Sequence, residues 1–102
     1  MFKAIILLKK KEEVSSEEFK NWWINSHSSK AAMLPKIRKL CFNLVENEGD
    51  KACDGVAEQW FDTQEDFEHA YASEIGKKVA ADSISNVLKR DRLFVNEHNI
   101  VN

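Results

Sequence analysis

Twice in this chain an apolar run gives way to the same kind of helix-start signal: Ser15-Ser16-Glu17-Glu18 and, 48 residues later, Thr63-Gln64-Glu65-Asp66. In such a box the hydroxyl and the carboxylate three residues on satisfy each other's free backbone N–H groups, so a helix has to begin there. Behind each signal come two large aromatic residues one turn apart, Phe19 and Trp23 in the first case and Phe67 and Tyr71 in the second. The correspondence is what an internal repeat would leave, and equally what two unrelated helix starts built by one rule would leave.

The segments between these signals read as strands. Residues 2–9, FKAIILLK, form a β-branched and leucine-rich run. From Ile37 to Val45 strand composition returns, with Leu40, Phe42 and Leu44 on one face and Cys41, Asn43 and Val45 on the other. The polar stretch Glu46 to Asp54 is a hairpin loop, and GVAEQWF, residues 55–61, places Val56, Glu58 and Trp60 on one face of the next strand. The stretch Ser73 to Leu88 is helical but interrupted by Asp82-Ser83, and residues 92–98, RLFVNEH, make a last strand. The order is βαββαβ, which predicts an α+β fold: a four-stranded antiparallel sheet with its helices on one face. Nothing in the chain is left to cover the other face, so a second copy is expected there and the protein should be a homodimer.

A length of 102 residues suits one domain, residues 1–102, with a single core. The formal charge is −2, and the densest basic cluster, Lys9-Lys10-Lys11, is answered at once by Glu12-Glu13. Nucleic acid needs a concentrated positive surface, so no such partner is expected. The longest apolar run, Ala4 to Leu8, is far short of the ~20 residues of a membrane span, so no membrane association is expected and the location should be cytoplasmic. Cys41 and Cys53 then read as free thiols. No H-x-x-x-H or C-x-x-C spacing, phosphate loop or dinucleotide fingerprint occurs, and neither metal nor cofactor is expected.

Within the first helix, at 100° per residue, Phe19, Trp22, Trp23, Ser26 and His27 fall on one arc. His27 therefore belongs to the buried side. The stretch Glu18-Phe19…Trp22-Trp23…His27…Ala31 resembles the F-x-x-Y/W-Y/W-x-x-x-H-x-P-x-A segment of the EthD-domain family. Ala57-Glu58-Gln59-Trp60-Phe61-Asp62-Thr63 is similar to its A-E-x-x-F-D-S junction, and Ser73-Glu74-Ile75-Gly76 with Asp82 and Asn86 to its S-P-E-G…D…N segment. The resemblance implies a ferredoxin-like dimeric α+β barrel, in which two subunits pack sheet to sheet. It also implies a small cofactor-free catabolic enzyme acting on a small hydrophobic oxygen-bearing compound. The reaction would be oxidation, or isomerisation or decarboxylation by proton transfer. The alternative is a non-catalytic module that binds such a compound for a partner oxygenase. Two positions depart from the pattern. Ser29 replaces the usual proline after the histidine, and Leu40 replaces a strand tyrosine, which removes one hydroxyl from any shared mechanism.

On this reading His27 and Glu58 are the candidate catalytic residues, and Phe19, Trp23, Leu40, Trp60, Tyr71 and His98 the candidate pocket lining. Histidine titrates near neutral pH, so His27 can exchange a proton or anchor a polar group; it can equally be a structural ring bonded to backbone at a helix end. Glu58 is a catalytic group or half of an ion pair across the dimer. His69 sits on an otherwise acidic helix and is expected in solvent. Of the tandem tryptophans, one should enter the core and the other, Trp23, should wall a pocket beside His27.

Overall fold

The two helix-start signals make the bonds their chemistry requires. In the computed structural model, which describes residues 1–102, Ser15 Oγ accepts the Glu18 amide at 3.1 Å and Glu18 Oε1 accepts the Ser15 amide at 3.0 Å. Thr63 Oγ1 accepts the Asp66 amide at 3.1 Å. Helix α1 (Ser16–Lys20) follows the first box, and α3 (Gln64–Ala72) follows the second. A third cap, Ser73, starts α4 (Glu74–Asn86) directly after α3. The turn between these two helices is so tight that a Cβ on Gly76 would lie 2.0 Å from the carbonyl oxygen of Ala70, so only glycine fits there.

Strands β1 (Phe2–Lys10), β2 (Lys39–Leu44), β3 (Gly55–Phe61) and β4 (Val87–Val95) form one antiparallel sheet in the order β2-β3-β1-β4. This is the ferredoxin-like arrangement expected from the element order. Period-2 alternation decides the faces. Ala4, Ile6 and Leu8 of β1 and Ala57 and Phe61 of β3 are buried beneath the helices. Their partners there are Phe19, Trp23 and Ala31 from the first helical segment and Phe67, Ala70 and Val79 from the second. Phe42 of β2 touches both halves of this core.

Three expectations are corrected. The first helix is not regular: residues Asn21–His27 wind as a π-helix before α2 (Ser28–Ala31) resumes the α form, and the Ser28 amide reaches back five residues to the Trp23 carbonyl. The last strand starts at Val87 and stops at Val95 instead of running over 92–98, because β1 offers it partners from Lys3 through Lys10. His98 consequently lies past the strand end, in exposed coil. The second strand is shorter at each end than 37–45. The face assignment of β3 holds, but its consequence is sharper than expected. Val56, Glu58 and Trp60 look away from the helices, on the sheet face opposite to His27.

Candidate functional site

The π-helical segment sets the geometry around His27. On a regular helix Trp22 and His27, five residues apart, would point about 140° away from each other. The i→i+5 winding stacks them on one side instead, with ring centroids 5.0 Å apart. Both rings end on one carboxylate: His27 Nδ1 is 2.8 Å and Trp22 Nε1 3.3 Å from Asp82 Oδ2, contributed by α4. Lys30 Nζ lies 3.3 Å from the other Asp82 oxygen. Trp23 is the member of the pair that enters the core. It is fully buried, stacks on Phe42 at 4.3 Å with an interplanar angle of 8°, and presses against β3 at Gly55. It also lines the cavity beside His27, as expected, but the expected division of labour fails: Trp22 does not enter the core and lies half-buried against His27 and Asp82.

That cavity lies between the sheet and the helices. Trp23 and His27 form one wall, Ser83 and Val79 of α4 another, and Gln59, Tyr71 and Arg90 the end. Its volume is only about 10 Å³, the scale of one water molecule. A larger depression of about 570 Å³ lies against α4, lined by Lys30, Met33, Ile75 and Lys78; it shares Val79 with the interior cavity and is lined by Asp82, the partner of the histidine, but not by His27 itself. The interior cavity is the stronger candidate because the reactive nitrogen faces it. An ionised carboxylate can only accept, so Nδ1 of His27 carries the proton and Nε2 the lone pair. Nε2 is 3.4 Å from Ser83 Oγ and points inward.

Burial, first, holds the His27 pKa below its usual 6.5; the Asp82 hydrogen bond opposes this but does not outweigh it, and the Lys30 and Arg90 charges add to the lowering. Burial would raise the Asp82 carboxyl, but the bonds from His27, Lys30 and Trp22 together keep it below 3.8. The ring is therefore neutral at neutral pH and able to take a proton. A histidine that is harder to protonate when folded favours the unfolded chain as pH falls. Stability is then fully present above the unfolded pKa of about 6.5. It declines as pH drops from there through the depressed folded value. Denaturant titrations between pH 5 and 7.5 should show this slope in the wild type and lose part of it in His27→Gln.

The other expected site residues divide. Tyr71 lines the cavity; Phe19, buried against Trp22 and Trp23, and Leu40, packed on the core, do not. Glu58 and Trp60 sit on the open sheet face. Glu58 pairs with Lys3 at 2.9 Å and accepts from Asn43 at 3.0 Å, and these bonds, Lys3 foremost, hold its carboxyl low. Trp60 lies between the Lys3 and Lys39 ammonium groups, 4.6 and 4.7 Å from its ring. The sheet thus separates Glu58 from His27 within one chain. His69 is exposed, as expected. Gln59, Asp82, Ser83 and Arg90 escaped the sequence reading as site residues. Gln59 left a signal, a polar side chain on the same face as Ala57 and Phe61. Asp82 and Ser83 left another, polar residues where an interruption of the helix was expected; α4 instead runs unbroken through them and turns both toward His27. Arg90 left none, since the strand carrying it was placed too late in the chain. No three His, Cys, Asp or Glu side chains are grouped to hold a metal ion, and no helix is long and apolar enough to cross a membrane.

Solved structures with the same fold cover nearly the whole chain. An ethyl tert-butyl ether D (EthD) family protein from Bacillus halodurans C-125 superposes with a TM-score of 0.81 at 18% identity, over 96% of this chain and 100% of that one. A dimeric ferredoxin-like protein of unknown function from Bacteroides fragilis gives 0.74 at 21% identity, over 94% and 95%. SnoaB of Streptomyces nogalater, a cofactor-independent oxygenase, gives 0.70 at 13% identity, over 98% and 95%. No curated protein matches the chain. The EthD domain model matches residues 11–87, the span that carries the capping box, the π-helical histidine segment, β2, β3 and both later helices. With its fold shared and its sequence matched over that span, the chain belongs to the EthD-domain family.

Proposed function

We propose that the protein is a cofactor-free enzyme that removes a proton from a small hydrophobic oxygen-bearing compound, with His27 Nε2 as the base. The observation that carries this is the Asp82–His27 pair: a carboxylate fixes the tautomer at 2.8 Å, and the other nitrogen has only the distant Ser83 hydroxyl, 3.4 Å away, as a partner beside the interior cavity that both residues line. This is how a histidine is oriented for general-base work. Deprotonation leaves an enolate or phenolate. That anion can be reprotonated at another carbon, and an electron-rich one can react with dioxygen; in a β-keto acid, loss of carbon dioxide from the carboxylate forms the same kind of enolate, which then takes up a proton. The likeness to a cofactor-independent oxygenase supports reaction with dioxygen, and the family takes its name from ethyl tert-butyl ether, a small hydrophobic oxygen-bearing compound. Native mass spectrometry of the purified protein, followed by incubation of any co-purifying compound in air and under nitrogen, tests the proposal. Conversion supports an enzyme, and tight retention of an unchanged compound supports the alternative of a binding module.

The active form we propose is a homodimer packed sheet to sheet. The open face carries Ile5, Leu7, Val56, Trp60 and Leu93, an apolar field around the Lys3–Glu58 pair. Two of the similar structures are described as dimeric. Light scattering should give a dimer at micromolar concentration. Ile5→Lys should give a folded monomer, since the new ammonium can meet Glu58 within one chain but is costly to bury between two sheets. A monomeric wild type overturns this assembly.

A further inference from the structure

The interior cavity holds a second group of polar atoms that proton transfer at His27 does not use. Gln59 is only 2% exposed on the inner face of β3, and its amide is 2.7 Å from the Tyr71 hydroxyl. Arg90, reaching in from β4, lines the same cavity and sets its positive charge near that hydroxyl. Two buried atoms of this group, Gln59 Oε1 and Arg90 Nε, have no partner within the protein. An unmet buried polar atom is a cost that folds rarely carry without a use.

Counting hydrogens shows what is missing. A carboxamide has one acceptor and two N–H donors, a phenol has one proton to give, and a guanidinium only donates. With Gln59 Nε2 toward Tyr71, the phenol oxygen accepts from the amide, and Gln59 Oε1 is left without a donor. With the amide turned over, Tyr71 donates to Oε1, and the unmet atoms that remain, the Gln59 N–H groups and Arg90 Nε–H, are all donors. That second setting meets every acceptor of the group and leaves donors around a permanent positive charge. What completes it is an acceptor, and next to a guanidinium an oxygen carrying negative charge serves best.

We infer that Gln59, Tyr71 and Arg90 form an oxyanion subsite that receives one oxygen of a small carboxylate, so that the substrate is an organic acid whose carboxylate sits across the cavity from His27. The space of about 10 Å³ admits an oxygen atom and no more. Room for the body of the acid opens only when Arg90, half-buried on an edge strand, swings outward, and its guanidinium then meets the carboxylate at the mouth of the widened cavity. Arg92, two residues along the same face, is already engaged over the Phe67 and Phe94 rings at 5.3 and 5.2 Å and serves as a control.

The inference rests on the interior cavity being the substrate site, but it is read by binding and does not need turnover. Acetate and benzoate are titrated against their neutral isosteres, acetamide and benzamide, by calorimetry and by NMR of the glutamine and tyrosine side chains. At least one acid should bind about 10- to 100-fold more tightly than its amide, the range of a charge-assisted bond. Arg90→Met should bring the acid down to the amide's affinity. Arg92→Met should leave it unchanged, and so should His27→Gln if the subsite is independent of the base. Should Arg90→Met fail to fold, a crystal structure of the wild type soaked in benzoate decides. A carboxylate oxygen on Gln59 and Arg90 supports the subsite, and a water there despite saturating benzoate overturns it. Equal binding of acid and amide, or no binding of either acid, also overturns it. Loss of activity in His27→Gln with acid binding intact would confirm both readings. Unchanged activity in that variant with acid binding intact would sink only the base.

Discussion

Trp23→Ala is expected to destabilise the protein by about 3–5 kcal/mol, the range for truncating a fully buried large aromatic residue. The indole has no solvent exposure, stacks on Phe42, and touches Phe19 on its own helix. Removing it opens a hole where α1, the π-helical turn, β2 and β3 meet. For a domain of this length the melting temperature should fall by at least ~12 °C. The packing can also be tested from the opposite side. A Cβ on Gly55 would lie 2.7 Å from two atoms of the indole ring, so Gly55→Val should destabilise by overpacking. Combined with Trp23→Phe, it should cost less than the sum of the two changes, because each relieves the other. Strict additivity in that cycle would mean that strand and indole do not share the space described here.

The second large effect is on chemistry. His27→Gln should reduce turnover by about 10²–10⁴, the usual contribution of a positioned base. Alanine is the poorer test. The ring is only 5% exposed and sits between Trp22, Phe42 and Asp82, so deleting it would leave a cavity and remove a partner from a partly buried carboxylate. An unchanged melting temperature for His27→Ala does not fit that environment. Asp82→Asn should lower turnover while keeping the fold, since an amide can present its N–H to Nδ1 and so move the ring proton to Nε2. The rate in wild type should rise with pH through a value below 6.5, because the base works in its neutral form and burial depresses its pKa. An undiminished rate in His27→Gln would leave the ring as a structural element binding α4 to the π-helical turn.

Local signals were enough for much of this fold. The Ser15 and Thr63 caps are read from four residues each, and alternation in residues 55–61 assigns the two faces of β3 without any knowledge of its neighbours. The uncovered sheet face follows from the element order alone, the EthD motif brought His27 forward, and the aromatic spacing behind the second cap brought Tyr71 forward. What tertiary structure decided was anything resting on pairing or on departures from regular helix geometry. β4 begins at Val87 because β1 is long enough to pair with it there, and that pairing alone turns Arg90 inward. The π-helical turn puts Trp22 beside His27, a relation that a 100° period forbids. Asp82 reaches the histidine across 55 residues of chain. Glu58 and His27, both polar residues in family motifs, end on opposite sides of the sheet, because strand alternation points one outward while the helix holding the other packs on the inner face. A one-dimensional pattern carries which face a residue takes on its own element; which elements share a face, and which atoms are then left without partners, is set by long-range packing.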